Sequence, residues 1–387
     1  MKKYLFSITI AILACCAQLF ANDGTYYTSG NQLVPLMETD ISVRKEVLTI
    51  SILNNGFAKV DVYYEFWNPG KQTRQLTMGF EADPPYNADW KFHPNGVHPN
   101  ISDFTVEMNG LRLLHKNAVC HAGAEKLDPV PTTKYNTIFD DNNLYEKDPE
   151  AYPEYRQTGI AFAYVYYFTA TFQPGLNKVH HTYCYRMSHG LGDPWDICYK
   201  LTPAGRWANR QIDDFTLIVR ADNTSKHFII EQKAFPQAVF AVTEGVGKIR
   251  NLPKETWQTP YLEFTLRNGA VQTHITNFKP QDELRIASGF VESKPFGHFY
   301  DPHYGKMPFF MANWAAEQNH QDLQFVKRVS RNLPYAYRGH VFKDKVLREF
   351  FESQWWYMPD PDYKDDDSDF TEVDRLYLKA EIPSIID

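Results

Sequence analysis

A mainly β chain is predicted, an antiparallel β-sandwich of one or two sub-domains followed by a small α-rich C-terminal domain. Three observations predict it. Between about Asp40 and Ser288, short runs alternate apolar and polar residues, the period that turns one face of a strand into a core. Pro, Gly, Asn and Asp cluster between these runs, and the scarcity of helical spacing there disfavours a parallel α/β arrangement. Beyond about residue 320 the period becomes that of amphipathic helices.

The strands follow in order. Glu46–Leu53 is the first clear run. In Lys59–Phe66, Val60, Val62, Tyr64 and Phe66 share one face, and Lys59, Asp61, Tyr63 and Glu65 share the other. Asn68-Pro69-Gly70 ends it. Arg74–Phe80 and Asp103–Met108 come next, and Asn109-Gly110 before Leu111–His115 is a hairpin signal. His115 to Gln157 is acidic and aperiodic and is expected to be a long loop. Ile160–Phe172, Lys178–Met187, Asp213–Ala221, His227–Gln232, Leu262–Asn268, Val271–Phe278 and Asp282–Ala287 complete the set. His180 and His181 are adjacent on a strand and point to opposite faces. Met187–Asp196 reads as a turn, because Ser188, His189, Asp193 and Asp196 stand too close in sequence to form a triad and are interspersed with Gly190, Gly192 and Pro194.

Pro295–Phe310 has linker composition. After it, Gln321–Asn332 places Leu323, Val326 and Val329 on one helical face. Asp344–Ser353 has Asp344 as N-cap and Val346, Leu347, Phe350 and Phe351 as its stripe. Asp369–Ile382 begins at a second acidic cap. The expected organisation is therefore an export signal over 1–21, a β-sandwich region over 22–294, a linker over 295–319 and an α-rich domain over 320–386.

The first residues support export. Lys2 and Lys3 precede an apolar stretch, Tyr4–Ala14, that is too short to span a bilayer. Cleavage after Ala21 would release a soluble chain starting at Asn22. The run Ile12-Leu13-Ala14-Cys15 instead has the form of a lipobox, which would acylate Cys15 and tether the protein to a membrane by that anchor alone. The chain of 387 residues is 43% hydrophobic and 15% aromatic, ample for real cores. Its net charge of −7 and lack of a basic stripe argue against wholesale nucleic-acid binding. Three cysteines remain after the signal. Cys184 and Cys198 flank an expected hairpin and are a candidate disulfide in an oxidising compartment; the alternative is three buried thiols, with Cys120 the third.

One stretch near the C-terminus, Asn332–Tyr357, carries a resemblance. Arg331-Asn332, Tyr335-Ala336, Gly339, Val341-Phe342, Lys343, Leu347, Phe350-Phe351 and Trp356-Tyr357 with Pro359 resemble the YARHG domain, a small extracytoplasmic bacterial module. The chain departs where the signature has Arg, His and the following aromatic, which here are Tyr337, Arg338 and His340. The β region, through Asn22–Ile50 and Leu201–Leu217, resembles an exported bacterial domain with no assigned activity. The resemblance implies extracytoplasmic location and association with the cell envelope, and it implies no reaction. A domain of this size needs its aromatics inside, so Tyr335, Gly339, Phe342, Phe350, Phe351, Trp356 and Tyr357 are read as structural. Tyr337, Arg338, His340 and Trp355 are the residues left over, and they are the binding candidates, since aromatic planes beside an Arg suit sugars, peptides or envelope polymers.

No nucleophile elbow, zinc-protease motif, phosphate loop or dinucleotide fingerprint occurs. His298, Asp301 and His303 have metal-clip spacing but no supporting Cys, and the six aspartates of Asp360–Asp369 lack the Gly and Glu offsets of a calcium loop. No metal and no cofactor is expected. Two functions are carried forward. The first is an envelope-associated binding or structural protein whose small domain contacts an envelope polymer or protein. The second is a hydrolase or lyase using carboxylates such as Asp103, Asp213 or Asp214, a chemistry that requires no motif.

Overall fold

The alternation along Lys59–Phe66 becomes a strand in which Val60, Val62, Tyr64 and Phe66 are fully buried. The structure is a computed structural model and describes residues 34–35, 39–53, 56–82, 95–121, 129–134, 162–187, 195–221, 226–252, 260–288, 323–370 and 372–379. Fifteen strands are described: β1 Val34–Pro35, β2 Ser42–Ile52, β3 Phe57–Asn68, β4 Arg74–Ala82, β5 Ile101–Met108, β6 Leu111–Arg112, β7 Lys116–His121, β8 Phe162–Phe172, β9 Gly175–Arg186, β10 Asp196–Tyr199, β11 Ile212–Ala221, β12 Lys226–Glu231, β13 Ala241–Leu252, β14 Tyr261–Phe278 and β15 Leu284–Ser288. Three helices follow: α1 Leu323–Tyr337, α2 Lys345–Glu352 and α3 Glu372–Lys379. The mainly β body with its α-rich end is therefore as expected.

The large sheet is organised around β14. Leu262 pairs with Ile230 of β12 and Asn251 of β13, and Val271 pairs with Val219 of β11 and Val242 of β13. A strand has two hydrogen-bonding edges, so β11 and β12 share one edge of β14 in succession and β13 takes the other. From that shared edge the sheet forks. One arm runs through β11, β2, β3, β9, β5 and β6, and the other through β12, β15 and β10. All these pairs are antiparallel except β2 with β11. The arms meet face to face, with the hydroxyls of Tyr64 on β3 and Tyr199 on β10 3.3 Å apart. The second sheet, β1-β4-β8-β7, covers the longer arm. Phe80 lies 4.7 Å from Tyr183 and Phe172 lies 5.6 Å from Phe66, ring centre to ring centre. Trp195 and Trp207 are both buried in this core.

Three expectations need correction. Leu262–Asn268 and Val271–Phe278 are one strand, not two, because Asn268-Gly269 does not turn the chain. Gly269 pairs with Gly245 of β13 between two register shifts, both φ values are positive (93° and 73°), and a Cβ on Gly269 would strike the Glu244 carbonyl. The expected loop from His115 begins as a strand, β7. Of the expected turn Met187–Asp196, residues 188–194 lie outside the described residues, and its last residue opens β10. The proposed partners Cys184 and Cys198 are not joined by a disulfide. Cys184 lies on the outward face of β9, near Asp103 and Lys59, whereas Cys198 sits against Tyr183 and Tyr185, which β9 turns inward. Cys15 and residues 1–21 lie outside the described residues, as do the linker and His298, Asp301 and His303.

In the helical part, a second core of Val329, Leu333, Ala336, Phe342, Leu347, Phe351 and Tyr377 is separate from that of the sandwich. Asp344 caps α2 as expected, accepting from the Leu347 amide at 3.0 Å. Leu347 and Phe351 are buried, but Val346 of the expected stripe is half exposed. The helix α1 continues through Pro334 to Tyr337, beyond the expected end at Asn332.

Candidate functional site

The signature stretch is built on the end of α1. Gly339 has φ of 96°, its amide bonds to the Ala336 carbonyl at 3.0 Å, and the His340 amide bonds to the Tyr335 carbonyl at 3.0 Å. These paired bonds close the helix in the way a left-handed Gly permits. A Cβ at Gly339 would also stand 2.8 Å from Nη1 of Arg267, on β14, and 2.9 Å from the Met358 carbonyl. The turn therefore needs Gly twice, once for its backbone and once to let the sandwich approach. Phe342 stacks on Phe351 at 4.6 Å, Trp356 and Tyr357 are buried beside them, and the Tyr357 hydroxyl donates to the His340 carbonyl at 2.5 Å. Phe350 is half-buried against Phe325, and Tyr335 lies between Phe370 and His340.

The four binding candidates fare differently. Tyr337 is buried against Trp356 and presents no surface; α1 continues past Asn332 and carries it into the core. Arg338 is a buried tie. Its guanidinium makes two bonds to Asp374 of α3 (2.9 and 3.3 Å), donates to the Pro334 carbonyl (3.1 Å) and to Asp369 (3.2 Å), and lies 4.4 Å over the Phe370 ring. Only 11% of the Arg338 side chain is exposed and none of Asp374. The expected cap Asp369 serves this cluster. His340 stays partly open and pairs with Asp365 at 2.6 Å. Trp355 faces the sandwich, with the Arg250 guanidinium 4.1 Å over its ring and the His227 ring edge-on at 6.0 Å.

Trp355 thus marks a seam between the helical part and the polar face of β12, β14 and β13. Register places His227, Thr265 and Lys248 in one row and Ile229, Glu263 and Arg250 in the next. Arg267 follows two residues along β14. Lys248 Nζ donates to the carbonyls of Trp355 (3.0 Å) and Tyr357 (2.8 Å). Arg267 donates to the Met358 carbonyl (3.1 Å) and pairs with Asp360 (3.3 Å). Buried Glu263 is held by His227 at 2.9 Å and by Arg250. Those partners hold its carboxyl below the usual range against the opposing effect of burial, which is the largest single influence on it. Burial pushes the Lys248 ammonium down. Sequence reasoning missed Lys248 and Arg250 because β13 shows no core-forming alternation and is mostly exposed, and it read the run that holds Glu263 and Arg267 as a strand without assigning its polar face. The polar spacing Glu263, Thr265, Arg267 was the available signal.

A second polar group lies inside the sandwich. Glu46 on β2 accepts from the hydroxyls of Tyr64 and Tyr199, at 3.4 Å each. His181, Tyr183 and Tyr185, all inward on β9, carry buried polar atoms with no hydrogen-bond partner. Burial holds His181 at about 3, so it is neutral. His180 points outward to Asp61 at 2.9 Å, as the strand alternation requires. Among the described residues no cluster of His, Cys, Asp and Glu could hold a metal ion, and no helix is long and apolar enough to cross a membrane.

The chain matches the crystal structure of a Legionella pneumophila protein named as a candidate nutrient binding protein, with 17% identity over 93% of this chain and 98% of that one and a TM-score of 0.53. That likeness shows a shared fold. An M1 zinc metallopeptidase of Deinococcus radiodurans (9% identity, 68% of this chain, 47% of that one, TM-score 0.25) and baculovirus P35 (10%, 66%, 98%, TM-score 0.23) match too loosely to support an argument. No curated protein matches. The family model described as the YARHG domain matches residues 309–382. With its helix closed on Gly339 and its core built from Phe342, Phe351, Trp356 and Tyr357, the C-terminal part of this chain is a YARHG domain.

Proposed function

We propose that this is an exported binding protein that attaches to an anionic polymer of the bacterial cell envelope through the outer edge of its YARHG domain. The observation that carries the reading is a basic edge. Arg328 pairs with Asp344 at 2.8 Å and so joins α1 to the start of α2. Around that contact stand Arg331, Lys343, Lys345 and Arg348, all exposed, with Val341 and Val346 44% and 50% exposed among them. Asp344 and Glu349 pair with Arg328 and Lys345 on this edge, which leaves Arg331, Lys343 and Arg348 to give it a local excess of cations although the whole chain is acidic. Export is supported by the domain type and by residues 1–21. The Legionella neighbour, named for nutrient binding, is in keeping with a binding role. The hydrolase alternative gains little, since Asp213 is held by Arg44, Asn209 and Gln211, and Asp214 by Lys45 and His274.

The test is co-sedimentation of the chain from Asn22 with purified cell-wall and envelope fractions across a salt series, beside a truncation ending near Lys306. Retention that weakens with salt and falls in Lys343→Glu/Arg348→Glu supports the reading. Equal retention of that double variant, or none by any form, would remove it.

A further inference from the structure

We propose a second anion-binding surface, the polar face of β12, β14 and β13, which the YARHG domain occupies in cis and from which an extended polyanion displaces residues 355–360. Three cations, Lys248, Arg250 and Arg267, share this face with His227, and the carboxylate among them is Glu263. What covers them is an irregular segment that offers oxygens, namely the carbonyls of Trp355, Tyr357 and Met358 and the carboxylate of Asp360.

The fit is incomplete in charge. The Lys248 ammonium, on a residue that stays exposed overall, spends two of its bonds on neutral carbonyls, and partial burial there disfavours the charged form. An anionic oxygen accepts roughly twice as strongly as a neutral one, so a phosphate or carboxylate at this position improves on the resident acceptors. The Asp360 carboxylate on Arg267 already shows that the face takes an anion. Lys248 lies opposite Thr265, and Arg267 is two residues further along β14, so the cations are about 7 Å apart along the strand. A ligand that suits both carries negative groups repeated at about that interval on an extended chain. Trp355 then loses its place over Arg250 and moves into solvent.

The experiment uses the full chain with two probes in separate arms, inorganic polyphosphate and poly-L-glutamate. Affinity is measured by titration, and displacement by amide hydrogen exchange of residues 353–360 together with Trp fluorescence. Binding with faster exchange over 353–360 is expected, and the arm that acts at lower concentration identifies phosphate or carboxylate as the better group. Asp360→Asn removes the resident anion and should tighten probe binding about threefold, the scale of a partly exposed ion pair. Lys248→Gln can still donate to the Trp355 and Tyr357 carbonyls but lacks the charge, so exchange without probe should stay near wild type while probe affinity falls by a similar factor. Lys343→Glu/Arg348→Glu removes the outer edge and should leave displacement of 353–360 unchanged, which separates this proposal from the envelope reading. Probe binding with no change in exchange over 353–360, or an unaltered affinity in both seam variants, would overturn the proposal. So would the absence of probe binding in both arms.

Discussion

Arg338→Ala is the substitution whose outcome differs most between a surface role and a structural one. The side chain ends on Asp374, which is completely buried and receives two guanidinium bonds of 2.9 and 3.3 Å. Truncation removes both, along with the bond to the Pro334 carbonyl and the stacking on Phe370, and leaves a carboxylate in the core without its guanidinium. Breaking a buried pair from one side costs about 3–5 kcal/mol. A core in a domain of this size supplies only about 3–5 kcal/mol in total. The variant should therefore unfold the helical domain in native buffer while the sandwich stays folded. Hydrogen exchange resolves this directly, with protection lost over 329–377 and retained over β2, β3 and β14. Arg338→Lys keeps the charge but loses the fork and should fall between. Arg338→Met with Asp374→Leu removes both charges and should recover most of the loss. If Arg338→Ala lowers the domain's stability by less than about 1 kcal/mol, the buried tie is not what holds α1 to α3, and the residue returns to the list of surface contacts.

Three further outcomes follow from the geometry. Gly339→Ala forces a Cβ into a left-handed turn and against Arg267 and the Met358 carbonyl; a loss of about 2–4 kcal/mol in urea unfolding is expected, with a loss below about 0.5 kcal/mol counting against the close approach. Burial holds His181 at about 3 against an ordinary 6.5, so the unfolded chain takes up a proton below 6.5 that the native chain refuses. Stability from this residue falls as pH drops from 6.5 toward 3, by about 1.4 kcal/mol per pH unit; His181→Phe should show a shallower decline in urea midpoint between neutral and mildly acidic pH, and identical slopes would refute it. Cys184 and Cys198 form no disulfide and are partly exposed while Cys120 is buried. Native alkylation of unreduced protein should label the first two before Cys120, and a mass 2 Da lower before reduction than after it would reveal the disulfide that the fold argues against.

Much of this protein was legible without coordinates, and the limit has a physical basis. A strand with one face in a core writes its period into the sequence, so β3 was readable residue by residue and β5, β9 and β11 as strands, as were the Asp344 cap and the opposite faces of His180 and His181. The need of a small domain for aromatic bulk similarly placed Phe342, Phe351, Trp356 and Tyr357 inside. Only the tertiary structure could decide what depends on contacts between distant segments. The forked sheet arises because β11 and β12 divide one edge of β14, and no local pattern encodes that. Arg338 was indistinguishable from a surface arginine until α3 brought Asp374 to it. The seam joins residues 227, 248, 250, 263 and 267 to residues 355–360, more than a hundred positions apart in the extreme case, and β13, which supplies two of its three cations, lies largely in solvent and so carries no hydrophobic period. Local chemistry sets the elements. Which polar face a domain covers is set by charge complementarity that exists only once the chain has folded.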